Sequence, residues 1–263
     1  MAATGFFTDT TVCIGCKACE VACKQWNQLP ADGNFFSGRS YDNTVHLEAT
    51  SWRHVAFVER EKKLSGQISG TRPFSWLFMS DVCKHCRRAG CLEACPTGAI
   101  VRNEFESVYV QPDVCNGCGY CVVACPFGVI NRRDDDGRAW KCTLCYDRQK
   151  EGIEPACAKA CPTDSILFGE VESLKEHARK RLSELHARGV TEAYLYGMTA
   201  DDQPGTEGLN AFFLLVDRPE VYNLPPSPGV PTKTTGISWA SMALAAAGMT
   251  VAALAAARAG GKR

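Results

Sequence analysis

Sixteen cysteines are the residues of this 263-residue sequence best able to act together chemically. They stand in four groups of four: Cys13, Cys16, Cys19 and Cys23; Cys83, Cys86, Cys91 and Cys95; Cys115, Cys118, Cys121 and Cys125; and Cys142, Cys145, Cys157 and Cys161. The first and third groups read C-x2-C-x2-C-x3-C, and a proline follows the third, which is the bacterial-type run that holds a 4Fe-4S cluster. Two consecutive x2 intervals turn the chain tightly enough to present three thiolates to three irons of one cluster. The fourth cysteine leaves on the next helical turn and, in two-cluster proteins, ligates the neighbouring cluster.

Two other uses of the thiols compete. Disulfides need no repeated three-residue interval and would spread over a secreted chain, whereas the 102 residues after Cys161 contain no cysteine. Zinc is served by two C-x2-C pairs joined by a long loop, a form approached only by Cys142 to Cys161. Four groups with every cysteine present favour clusters, and metal analysis separates them from a zinc-bound scaffold.

Cross-ligation implies that groups pair. Only 19 residues separate the second and third groups, so these form one pair and the first and fourth the other. The inferred ligand sets are Cys13, Cys16, Cys19 with Cys161; Cys142, Cys145, Cys157 with Cys23; Cys83, Cys86, Cys91 with Cys125; and Cys115, Cys118, Cys121 with Cys95. No iron is left without a cysteine, so the sets favour electron transfer over chemistry on a substrate. The sequence offers no catalytic residue, nucleophile elbow, phosphate loop or dinucleotide fingerprint. A chain that acted on its own substrate without a partner would contradict this reading.

Composition is that of an ordinary globular protein, 45% hydrophobic and 22% charged, with 29 basic and 29 acidic side chains. The neutral balance gives no case for nucleic acid. Four oxidised clusters with their thiolates add about eight negative charges, which other groups must offset. Amides of the loops at Gly15, Gly117 and Gly119 are candidate donors. Lys17, Lys84, Arg87 and Arg88 are candidate cations, although each taken singly reads first as solvated loop surface. His85, inside the C-x2-C of a complete group, reads as a loop hydrogen bond, and Asp134, Asp135 and Asp136 as an exposed turn before Gly137. Trp26, Trp52, Trp76 and Trp140 read as core or interface aromatics.

The elements that must position these groups are themselves repeated. Cys95-Pro96, Cys125-Pro126 and Cys161-Pro162 each lead, without gaps, to an isoleucine four residues past the proline, at Ile100, Ile130 and Ile166. Proline halts a helical turn and isoleucine suits a short buried strand. The first group has Lys24 in place of the proline. Residues 24–82 read as an inserted hairpin layer with strands at Thr44 to Ala49, Arg53 to Glu59 and Ser75 to Met79. Residues 166–223 read as a flanking layer: a helix through Val171, Leu174, Ala178, Leu182 and Leu185 ending near Gly189, then strands at Tyr194 to Tyr196 and Ala211 to Val216. The predicted fold class is α+β, with two nested ferredoxin-like dicluster units within residues 1–165, inserted β-hairpins, and a single C-terminal transmembrane helix.

A proline-rich linker, residues 224–236, precedes that helix. Ile237 to Ala257 carries no charge over 21 residues, about 31 Å as a helix, which matches the hydrocarbon thickness of a bilayer. Ten of those residues are alanine, so a soluble alanine-rich tail helix is the competing reading. Arg258, Lys262 and Arg263 follow the segment and Lys233 precedes it, which places the C-terminus in the cytoplasm and the cluster region on the outer, periplasmic face. The first twelve residues show no secretory signal.

The stretches Cys13-Ile14-Gly15-Cys16-Lys17-Ala18-Cys19 with Val21, Ala22, Cys23 and Trp26, Cys115 through Phe127, Lys141-Cys142-Thr143-Leu144-Cys145 with Asp147 and Arg148, and Glu154 through Pro162 resemble the iron-sulfur beta subunit of respiratory formate dehydrogenase. The resemblance extends to the helix ending Ala187-Arg188-Gly189, the linker and the tail. The cysteine pattern alone is shared with beta subunits of nitrate, dimethyl sulfoxide and polysulfide reductases, so the same role in one of those is the alternative. The resemblance implies four 4Fe-4S clusters and no catalysis by this chain itself. It implies a catalytic alpha subunit holding a molybdenum or tungsten pterin, and a membrane cytochrome b that reduces quinone. It also implies that the pair from groups one and four lies nearer the catalytic subunit, and that export uses a twin-arginine leader on that partner. In related nitrate reductases a replaced cysteine yields a 3Fe-4S cluster; here all sixteen are present.

Overall fold

The computed structural model describes residues 2–31, 36, 38, 41–60, 75–203 and 205–260. Strand β1 (Thr4–Asp9) leads into the first cysteine group and helix α1 (Ala18–Trp26). A long hairpin follows, β2 (Arg53–Arg60) with β3 (Ser75–Val82), antiparallel from Arg53 opposite Val82 to Arg60 opposite Ser75. The second and third cysteine groups alternate short helices with two-stranded ribbons: α2 (Gly90–Glu93), β4 (Ile100–Arg102), β5 (Val108–Val110), α3 (Tyr120–Ala124), β6 (Asn131–Arg132) and β7 (Ala139–Trp140). The fourth group lies on α4 (Tyr146–Lys150), α5 (Ala156–Lys159) and the turns beside them. The chain ends with β8 (Ile166–Glu170), α6 (Val171–Ala187), β9 (Tyr194–Tyr196), β10 (Ala211–Leu215) and α7 (Thr235–Gly260).

The organising sheet has strand order β8-β1-β10-β9. Its central strand β1 comes from ahead of the first cysteine group, so the division expected between residues 165 and 166 is one of chain order and the sheet crosses it. Side chains alternate across a strand, and here both faces are buried. Phe6 packs among Cys19, Cys23 and Val55, while Phe7 packs on Phe212 and Leu174 beneath α6. β1 runs parallel to β10, and the approach is so close that a Cβ built on Gly5 lies 1.8 Å from the carbonyl oxygen of Asn210. α6 buries Val171, Leu174, Ala178 and Leu185 of the stripe predicted from its helical spacing, and Leu182 packs against the same cluster half-buried.

Two strands of the inserted layer form where predicted, at β2 and β3. The third expectation is corrected: Thr44 to Ala49 is not a strand. Val45 has φ +65°, the His46 amide donates to the Thr44 carbonyl at 2.8 Å, and Glu48 and Ser51 exchange backbone hydrogen bonds. Those groups are spent on local turns and leave no ladder to join. Parts of the inserted layer, residues 32–35, 37, 39–40 and 61–74, lie outside the described residues.

The proline-rich linker is held against the body rather than free. Leu224 and Val230 are buried, and Pro231–Thr234 forms a 3-10 turn packed on α2. From there α7 departs. Thr235–Arg258 is long and apolar enough to cross a bilayer, with none of it buried in the protein. At about 1.5 Å per residue it spans about 36 Å. Lys262 and Arg263, which contribute to the expected orientation of the segment, lie outside the described residues.

Candidate metal centres

In every group the third and fourth cysteines are four residues apart, one helical turn. In three groups the helix stops between them: α2 ends at Glu93, α3 at Ala124 and α5 at Lys159. The proline after the fourth cysteine cannot continue the helix. Two residues beyond it the backbone turns left-handed, at Gly98 (φ +68°), Gly128 (φ +63°) and Asp164 (φ +52°). Glycine suits that turn because it lacks a Cβ; aspartate tolerates it better than most residues. In the first group, with Lys24 in the proline's place, α1 runs on to Trp26 and keeps Cys19 and Cys23 on one face. α1 packs on α5 and α2 on α3. These two helix pairs bring group one to group four and group two to group three.

The thiols that result are neighbours across groups. Cys13 lies within electrostatic reach of Cys161 and Cys16. Cys23 lies among Cys157, Cys142 and Cys145. Cys86 faces Cys83, Cys125 and Cys91, and Cys121 faces Cys115, Cys118 and Cys95. One set lines a single small cavity, whose walls include Cys83, Cys86, Cys91 and Cys125 and no other cysteine. None of the sixteen is in a disulfide. Among the described residues no three Cys, His, Asp or Glu side chains converge on a single metal ion. Zinc would draw its sulfurs to about 2.3 Å from one point, an arrangement that no three of these side chains make among the described residues.

The neighbourhoods also touch in series. Cys19 lies near Cys157, Cys142 near Cys83, and Cys91 near Cys121. The order is therefore the Cys13 set, the Cys142 set, the Cys83 set and the Cys115 set. Exposure agrees with this order. The two exposed cysteines are Cys16 and Cys118, one in each terminal set, whereas Cys23, Cys142, Cys145 and Cys157 are all buried.

Burial pushes Cys19, Cys121 and Cys145 up to about 11 and Cys91 up to about 12. Cys142 and Cys23 are raised by burial and by the thiols beside them. Such thiols hold their protons until iron displaces them, so metal binding puts the negative charge inside the protein. Cys95 is the exception: burial acts to raise it, but the Thr97 hydroxyl and the amides of Ile100, Thr97 and Ala99 outweigh that and lower it.

The cations that answer this charge were mostly not evident in the sequence. Arg53 is buried, and its Nη2 donates to Cys157 Sγ at 3.0 Å. Lys141 is buried, and its Nζ donates to Cys83 Sγ at 3.5 Å and to the carbonyl of Cys142 at 3.0 Å, with Val108 O as a third acceptor. Burial acts to depress both cations, yet both are raised by the surrounding thiols. Among the described residues neither has a carboxylate partner. A buried cation left unpaired is costly, and the thiolates of a loaded cluster are the anions at hand. The donor set and these two cations fit 4Fe-4S groups. The one available sequence signal was position: Lys141 adjoins Cys142, and Arg53 opens a predicted strand.

Of the residues expected to offset charge, the Gly15 amide faces the Cys13 thiol. Lys84, readable as loop surface, is instead buried, paired with Asp81 and set over the rings of Phe127 and Phe213 at 5.2 and 5.5 Å. Arg87 and Arg88 are surface residues paired with Glu172 and Glu93, and Lys17 pairs with Asp42. His85 makes the loop hydrogen bond expected of it, its Nδ1 accepting from the Val108 amide at 3.1 Å. Burial, with Lys141, Arg102 and Arg53 nearby, holds that imidazole neutral. Asp134 to Asp136 form a turn before Gly137. Trp52 is core; Trp26 is half exposed, its Nε1 donating to Asp147 and Arg148 stacked on its ring at 4.2 Å.

Four thiol sets on paired short helices, strung end to end, define an iron-sulfur protein of the dicluster kind. Comparison with known proteins agrees: two family models described as 4Fe-4S dicluster domain match residues 12–99 and 74–171. The sequence is 42% identical over 231 residues to a formate dehydrogenase iron-sulfur subunit of Haemophilus influenzae, covering 86% of this chain and 70% of that protein. It is 40% identical over 244 residues to the iron-sulfur subunit of the nitrate-inducible formate dehydrogenase of Escherichia coli, covering 91% of this chain and 78% of that protein. A subunit of the anaerobic dimethyl sulfoxide reductase of Escherichia coli is 34% identical over 179 residues, 65% of this chain and 76% of that protein. The chain therefore belongs to the family of formate dehydrogenase iron-sulfur subunits.

Proposed function

We propose that this chain is the electron-transfer subunit of a membrane-anchored formate dehydrogenase and is not itself catalytic. The sixteen cysteines bind four 4Fe-4S clusters as the four sets described above. When bound, each such group takes up and gives back one electron at a time. The observation that carries the reading is the serial order of the sets, with an exposed cysteine at each end and a buried set between. The buried thiols exclude water from the middle of the path, and the two ends are left accessible for exchange with partners.

Both ends carry exposed apolar side chains. Beside Cys16, Ile14 and Val21 are exposed; beside Cys118, Tyr120 and Val123 are exposed, the last at 87%. Exposed apolar side chains around a redox centre suit a docked protein. The membrane helix chooses between the ends. Val230 packs against Gly90, and the Thr232 hydroxyl bonds the Glu93 carboxylate, so α7 starts beside α2, which carries Cys91. The Cys83 and Cys115 sets thus lie toward the membrane and its cytochrome b, and the Cys13 set toward a catalytic subunit holding a molybdenum or tungsten pterin. Lys233 ahead of α7 and Arg258, Lys262 and Arg263 at its end support a cytoplasmic C-terminus, with the cluster region on the outer face.

Purification of the protein with its natural partners tests the function. The expected complex contains a pterin subunit and a haem-bearing membrane subunit, and formate bleaches the brown iron-sulfur absorbance. A partner that reduces sulfoxides, in a complex that formate does not bleach, would assign the chain to a reductase instead. Protease digestion of intact cells tests the orientation; a cluster region shielded on the cytoplasmic side overturns it.

A further inference from the structure

We propose that Arg53 and Lys141 are charged bridges between consecutive clusters, each holding a cysteine ligand on both sides and levelling the potentials of the two clusters it joins. The inference rests on the ligand sets proposed above. Arg53 lies between the Cys13 and Cys142 sets. On one side its Nη2 donates to Cys157 Sγ at 3.0 Å; on the other its Nη1 donates to Ser80 Oγ at 3.4 Å, and that hydroxyl is 3.2 Å from Cys19 Sγ. The Phe6 ring closes the guanidinium from beneath, 4.7 Å away. A continuous path of hydrogen bonds therefore runs from Cys157 through Arg53 and Ser80 to Cys19.

Lys141 stands at the next junction. Its backbone is joined to Cys142, while its ammonium reaches Cys83 Sγ at 3.5 Å and returns to the Cys142 carbonyl at 3.0 Å. With Val108 O as the third acceptor, all three ammonium protons are used. The third junction is built differently. Cys91 lies near Cys121 where α2 meets α3, and a Cβ on Gly90 would sit 2.5 Å from the Ala124 carbonyl oxygen, so backbone meets backbone there.

The cations have a role beyond packing. A cluster with four thiolates is already negative before it accepts an electron, and so is its neighbour. In a medium of low dielectric each added electron is opposed by both. A cation in contact with two sets lowers that opposition for both at once, which raises both potentials together and keeps one from becoming a trap. Each transfer moves one electron, oxidising one cluster and reducing the next, and neither cation gains or loses a proton.

The test uses the whole complex, with redox titration followed by electron paramagnetic resonance, and cluster signals assigned by Cys→Ser changes. Lys141→Met is expected to lower the potentials of the Cys142 and Cys83 clusters by at least tenfold in the reduced-to-oxidised ratio at fixed potential, 59 mV for a one-electron couple. The Cys13 and Cys115 clusters stay within twofold. Arg53→Gln, which keeps donors but removes charge, shifts the Cys13 and Cys142 clusters instead, and Arg53→Lys restores them. Four unchanged potentials in either neutral variant overturn the inference, as does a uniform shift of all four. Cluster loss confined to the flanking sets and reversed by Arg53→Lys supports it; loss that Arg53→Lys does not reverse counts against it. Absence of four 4Fe-4S signals in the unaltered complex would instead refute the functional assignment itself.

Discussion

Gly5→Ala puts the link between the central sheet and the first cluster set under a single methyl group. The new Cβ would sit 1.8 Å from Asn210 O and 2.8 Å from its carbonyl carbon, where real Cβ contacts stay above 3.0 Å. The obstacle is backbone in a strand buried on both faces, so β1 and β10 must part by more than an ångström. The Phe6 N–H bond to Asn210 O, now 2.8 Å, is lost with that opening. Overpacking costs about 1–3 kcal/mol, and a buried backbone pair left unmet about another 1–3 kcal/mol. A net loss of about 3 kcal/mol lowers Tm by about 6–12 °C for a chain of this size. The damage should be local. β1 ends at Asp9, whose N–H donates to Ser165 O at 2.8 Å and whose carbonyl accepts from Ser165 Oγ at 2.7 Å, and the same Ser165 side chain faces Cys13. Thermal denaturation at matched scan rate, with resonance spectra of the four clusters, reads both effects. The expected result is a lower Tm with early loss of the Cys13 cluster. An unchanged Tm, or equal loss of all four clusters, would refute the argument.

Cys125→Ser and Cys83→Ser should alter the same cluster signal, because both line one cavity; alteration of two different signals rejects the pairing across groups. His85→Asn should keep all four clusters with unchanged spectra, since the asparagine oxygen can still accept from Val108 and the imidazole is not a ligand. Conversion of one cluster to a three-iron form would show that it is. The full chain should float with lipid vesicles, whereas a chain ending at Thr234 should remain in the dense fraction with its clusters intact. Flotation of the shortened chain would place membrane binding outside α7.

Some elements could be read directly from residues and spacing. α6 was legible because its buried stripe recurs every three or four residues, and β2, β3, β9 and β10 because apolar and aromatic residues run together there. β1 was not. Six residues near the N-terminus carry too little pattern, and this strand exists because Asn210 to Leu214 lie beside it, some two hundred residues away in the chain. Thr44 to Ala49 has strand-like residues, yet its backbone closes on itself in turns. Composition cannot register that choice.

The cysteine spacing by itself determined the chemistry, because ligand type and interval are local: C-x2-C loops and a cysteine one helical turn further on constrain what metal can be held. Residue counts and the long uncharged tail likewise determined a candidate membrane span. Only the tertiary structure decided the order of the four sets, the end nearest the membrane helix and the identity of the buried cations. Arg53 lies on an ordinary-looking strand, and nothing near it in sequence shows that Cys157 and Ser80 close around it. Burial of a charge depends on what the rest of the protein brings to it. For the same reason a sequence with no net charge conceals two cations placed between its metal sites.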